Sequence, residues 1–183
     1  MRRQLVPFLL FLSLAGNLVF GMHLYNRDRH VTRVTWGYAV NNLWKHISWA
    51  RTSVSPGPDG RVSGVDVYGV TLALEDLEGL QFLPYYNRRA EFPEINTIRQ
   101  FLHYAQKTKA LAIEEQGDTG KVSPESVERL AKVREGLELI LQGNGRTNKM
   151  TQSRNPWNHA EWRDLWREIA DGLRQMDFPP LPE

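Results

Sequence analysis

Residues 1–25, MRRQLVPFLLFLSLAGNLVFGMHLY, decide how the rest of the chain is read. Leu5 to Tyr25 are 21 residues with no Asp, Glu, Lys or Arg among them. Wound as a helix rising roughly 1.5 Å per residue they span about 31 Å, close to the ~30 Å hydrocarbon core of a bilayer. The sequence therefore predicts a single N-terminal transmembrane helix over 1–25 and an extracytoplasmic helical domain over 26–183. A cleaved signal peptide would share the Arg2-Arg3 start and end its apolar core at a small-residue site such as Ser13-Leu14-Ala15. The apolar run does not stop there: Leu18, Val19, Phe20, Met22 and Leu24 carry it to spanning length. An uncleaved anchor is the expectation, and with no cysteine anywhere a lipid-modified N-terminus is excluded.

Flanking charge sets orientation. Arg2 and Arg3 precede the run, and Arg27, Arg29 and Arg33 follow it against Asp28, so both flanks are positive. An Arg-Arg start before an apolar run is the usual export pattern, which places the N-terminus inside and the body outside the cytoplasm. Within the anchor, Ser13, Asn17 and Gly21 recur every fourth residue with Gly16 beside them. Such a face of small and polar residues lets a second helix approach closely in lipid and offers the Asn amide a partner. The expected partners are thus the lipid bilayer and another membrane or envelope protein, or a second copy of the chain through this face.

Removing Arg2 and Arg3 from the 23 basic residues leaves 21, against 21 acidic ones, so the body is formally neutral. No basic stripe stands clear of acids, and nucleic acid is not an expected partner. The absence of cysteine excludes disulfides, thiolate zinc sites and a cysteine nucleophile. Stability must come from the core, for which six Trp, seven Phe and six Tyr supply the material.

Apolar spacing at i, i+3, i+4 predicts a mainly α body, a four- to five-helix bundle. The first helix, 28–54, aligns Trp36, Val40, Leu43, Trp44, Ile47 and Ala50 and continues out of the anchor. Ser55-Pro56-Gly57-Pro58-Asp59-Gly60 breaks it. A second, 65–83, aligns Val67, Val70, Leu74, Leu77 and Leu80, with a short strand at its start as the alternative. A third runs from Pro93 to about Gln116 and ends in the turn Gly117-Asp118-Thr119-Gly120. Ser123 caps a fourth, with Pro124 in its first turn, running to Leu141. Residues 142–154 show no apolar pattern and read as an exposed loop. Asn158 and Glu161 fit a capping box before a last helix built on Trp162, Leu165, Trp166, Ile169, Leu173 and Met176. Tryptophan occurs only in the first and last of these helices and the residues just before the latter, so the two should meet through Trp rings.

Motifs of chemistry fail in their context. Asp118-Thr119-Gly120 copies an aspartic-protease tripeptide but sits in a polar turn. His23, His30, His46, His103 and His159 are scattered, and none forms a metal-ligand pair such as HExxH. Glu75, Asp76 and Glu78 are the one compact acidic group, and Glu75 and Glu78 project away from Leu74 and Leu77 as a solvated face should. No polar residue stands out on an apolar face. These readings favour binding over catalysis, with no cofactor and no metal. Tyr85, Tyr86, Arg88 and Arg89 in the second link, and Arg146 in the 142–154 loop, are the candidate partner contacts, because aromatic and Arg side chains favour interfaces. The expected function is a membrane-anchored interaction or scaffold protein of the cell envelope. The alternatives are a small-ligand sensor bundle with a separate output subunit, and an exported hydrolase using the acidic group.

Overall fold

The computed structural model describes the backbone of residues 2–57, 59–62, 67–82, 93–152 and 159–181, with side chains at 13–14, 16–27, 30, 37–57, 59–62, 69–78, 93–150 and 160–181. Among the described residues there are six helices and no strand: α1 Arg2–Ser53, α2 Val67–Phe82, α3 Pro93–Thr119, α4 Pro124–Gln142, α5 Asn144–Gln152 and α6 His159–Gln175. The chain divides into two units, Met1–Thr35 and Trp36–Glu183, of which the second is the bundle. Among the described residues no helix is long and apolar enough to cross a membrane. The side chains of residues 2–12, which carry much of the apolar run, lie outside the described set.

No proline lies between Pro7 and Pro56, and α1 is one uninterrupted helix. In the bundle it buries Val40, Leu43, Trp44, Ile47 and Ala50, the stripe expected from their spacing. It ends where the breaker cluster begins. There the Gly57 N–H donates to Arg61 O at 2.8 Å, and the Gly60 N–H donates to Gly57 O at 2.9 Å. Gly60 takes φ +74°, a conformation that L side chains rarely adopt. Gln116 of α3 holds the loop beyond: its Oε1 accepts from the Val62 N–H at 2.6 Å and its Nε2 donates to Val62 O. α2 then crosses α1 so closely that a Cβ on Gly69 would stand 2.8 Å from Ala50 N. Val67 and Val70 lie in this helix, so the alternative strand is not formed there, and Val65 falls outside the described residues.

α3 packs against α2, α4 and α6. Ile95, Ile98, Phe101, Leu102, Ala105 and Ala112 are buried on it, along one broad face. It runs three residues past its expected end, through Gly117 to Thr119. Only Gly120, at φ +76° with its N–H donating to Gln116 O at 2.9 Å, makes the turn. Ser123 caps α4 as its sequence requires, its Oγ accepting from the Ser126 N–H at 3.2 Å.

Asn144–Gln152, most of the stretch read as an exposed loop, form α5. Its helical character comes from packing. Gly143 lets the chain pass under α6, where a Cβ would lie 3.1 Å from Ile169 Cδ1 and 3.2 Å from Leu165 Cδ1. The Arg146 and Thr147 N–H groups both donate to Gly143 O at 3.1 Å. Thr147 and Met150, three residues apart, are then buried. Two positions are too few to register as a periodic pattern, so the sequence yields five helices where the described residues form six.

α6 buries Trp162, Leu165, Trp166, Ile169, Ala170 and Leu173. Trp44 of α1 stacks on Trp166 with centroids 6.2 Å apart, the contact between first and last helices that the tryptophan distribution predicts. Trp49 behaves differently. It is 49% exposed, with Lys45 Nζ 4.6 Å over its ring. The side chains of Trp36 and Trp157, and the capping residue Asn158, lie outside the described residues. Beyond α6 the tail folds back: Phe178 meets Phe101 and Tyr104, and the Tyr104 hydroxyl donates to Pro179 O at 2.8 Å.

Candidate functional site

The N-terminal unit is helical, and its described large apolar side chains are exposed. Leu14, Leu18, Val19, Phe20, Met22, Leu24 and Tyr25 are between 45% and 69% exposed. At 100° per residue these positions cover roughly 260° of the circumference, with Gly16 and His23 in the remaining arc, so this is close to an apolar cylinder and far wider than an amphipathic stripe. Ser13, Gly16, Asn17 and Gly21, the expected helix-packing face, are helical and exposed, and a Cβ at Gly16 or Gly21 would meet nothing within 4 Å. Gly21 leaves a shallow notch between Leu14, Asn17, Leu18, Met22 and Tyr25.

In the bundle the acidic group of α2 does not converge. Glu75 and Glu78 are exposed, as expected, whereas Asp76 turns to α1 and accepts a hydrogen bond from His46 Nδ1 at 2.5 Å. Burial pushes the Asp76 carboxyl above its ordinary range, against the opposing pull of the His46 hydrogen bond and charge, and Glu75 adds to the rise. His46 rests on Trp49, ring centroids 5.3 Å apart. A histidine held by a carboxylate can act as a base toward a third group, but geometry comes first, and this pair spans two packed helices as a clamp. Its residues flank the core positions Ile47 and Leu77, the one sign of the pairing that the sequence carries.

The expectation that no polar residue lies on an apolar face is wrong at Lys109. This side chain is fully buried in α3, and its Nζ donates to Ser53 Oγ at 2.9 Å. Ser53 Oγ in turn donates to Ala50 O at 2.9 Å. A serine nucleophile activated by lysine needs the reverse polarity, with the hydroxyl proton directed at a neutral amine. Here the hydroxyl spends its proton on a helix carbonyl and offers lysine a lone pair. The contact ties the C-terminal turn of α1 to α3.

Of the expected partner contacts, Tyr85, Tyr86, Arg88 and Arg89 lie outside the described residues. Arg146 is exposed on α5 and forms an ion pair with Glu168 of α6. His103 is exposed on α3. Among the described residues no three His, Asp or Glu side chains come together as metal ligands. No family model, curated protein or solved structure matches the chain.

Proposed function

We propose that this chain is a membrane-anchored helical interaction protein of the cell envelope, with residues 1–25 in the bilayer and the bundle outside the cytoplasm as the binding module. The observation that carries the reading is the apolar cylinder from Leu14 to Tyr25. A helix apolar over most of its circumference has no stable place in water, and lipid is the solvent that accepts nearly every direction of it at once. Residues 5–12 continue the same composition, with no charged residue. The face of Ser13, Gly16, Asn17 and Gly21 would admit a second helix within the bilayer. Binding is favoured over hydrolysis because Asp76 is engaged by His46 while Glu75 and Glu78 point to solvent.

Alkaline carbonate extraction of membranes from cells making the full chain tests the anchor. The chain should stay in the membrane pellet, with its N-terminus intact by mass spectrometry and a reporter after Glu183 active only outside the cytoplasm. Release into the supernatant, or a new N-terminus before Arg27, would overturn the anchor. Crosslinked membranes should then yield a defined envelope protein on pull-down of the bundle. Loss of function in Glu75→Gln or Glu78→Gln, with folding and partner capture intact, would replace the binding role with a catalytic one.

A further inference from the structure

Over the last turn of the apolar segment and the turn that follows it, α1 changes character. His23, Arg27 and His30 follow at i, i+4 and i+7, which puts them within a narrow arc of one helix face, and all three are exposed. Arg29 and Arg33 add two further cations to this stretch of sequence, against the single acid Asp28. From His23 to His30 the helix advances roughly 10 Å, comparable with the depth of one headgroup layer. Tyr25, 62% exposed, stands at the same level, where aromatic residues mark the membrane boundary.

We infer that the face formed by His23, Arg27 and His30 binds the phosphates of anionic phospholipids where α1 leaves the bilayer. The inference rests on the membrane-anchor reading above and adds a lipid class to it. The guanidinium of Arg27 matches a phosphate with two parallel N–H donors, and a histidine one turn to either side supplies further ring N–H donors. The long Arg27 stem reaches up from the apolar boundary while its head stays in the polar layer. Charge complementarity selects the occupant: an excess of cations at the base of an anchor attracts anionic headgroups and gains nothing from neutral ones.

The test is lipid selectivity of the full chain in nanodiscs of equal parts phosphatidylcholine and phosphatidylglycerol. Native mass spectrometry after release should find phosphatidylglycerol retained in roughly fivefold excess or more, the scale set by one or more cations near an anionic surface. The triple variant His23→Ala, Arg27→Ala, His30→Ala should still enter nanodiscs but lose most of that excess. Equal retention of the two lipids by the unaltered chain overturns the inference and leaves the anchor standing. An excess that the triple variant keeps in full overturns the assignment to this face. Failure of the unaltered chain to enter nanodiscs overturns the anchor, and the inference with it.

Discussion

The indole rings of Trp44 and Trp166 stack with centroids 6.2 Å apart and planes 19° apart, joining α1 to α6. Trp162 continues the stack, its ring centroid 6.0 Å from that of Trp166. Both Trp44 and Trp166 are buried, and their Nε1 atoms find no acceptor among the described residues. Among the described residues the pair is held by buried area and ring stacking.

Trp44→Ala and Trp166→Ala should each destabilise the bundle by about 3–5 kcal/mol, read from denaturant unfolding of the full chain in mild detergent. Trp166→Phe should cost much less than Trp166→Ala, since it keeps much of the buried aromatic area. Equal losses for Phe and Ala would show that the stacking account is wrong.

Gly69→Ala is expected to be the most damaging single-methyl addition on α2. The new Cβ would meet backbone atoms, Ala50 N at 2.8 Å and Ala50 Cα at 3.1 Å, which cannot rotate aside. Overpacking of this kind costs about 1–3 kcal/mol. The same substitution at Gly117, where a Cβ meets nothing within 4 Å, serves as the control and should be neutral or stabilising.

Asp76→Asn should leave the bundle as stable as the unaltered chain at pH 7, or more so. Burial raises the Asp76 pKa, so the folded chain binds that proton more tightly than the unfolded chain does. The ionised carboxylate therefore disfavours folding above its folded pKa. That penalty fades as pH falls toward the ordinary carboxylate range near about 4. Asparagine keeps an acceptor for His46 and cannot ionise. Its advantage should shrink on acidification in thermal melts, and an advantage that grows at low pH would reverse the sign argued here.

Ser123→Ala should cost about 1 kcal/mol, because it strips the acceptor from the Ser126 N–H at the start of α4. Ser123→Asp should recover most of that loss, and a null effect of Ser123→Ala in unfolding curves would show that the cap is replaced by water.

The sequence already contains the helical class, the positions of α1 to α4 and α6, the cap of α4, the break after Ser55 and the contact between the tryptophan-bearing helices. These follow from local chemistry: apolar spacing at the helical period, proline and glycine where a helix cannot continue, and a serine where one begins. α5 was not legible, because its helix depends on Gly143 slipping beneath Leu165 and Ile169, residues more than twenty positions away. Lys109 left a trace that apolar counting alone passes over. Ile98, Leu102, Ala105, Lys109 and Ala112 follow one another at intervals of four and three, so the lysine occupies a core position in the stripe.

The sequence by itself determined that this chain is a series of helices led by an uncharged run from Leu5 to Tyr25, since both depend only on which residues are neighbours along the chain. Tertiary structure decided which helix is central, where Asp76 and Lys109 turn, and that Trp44 meets Trp166 while Trp49 faces out. Those outcomes depend on how helices cross. A crossing is set by side chains and glycines far apart in sequence, such as Gly69 against Ala50, whose meeting no local pattern records.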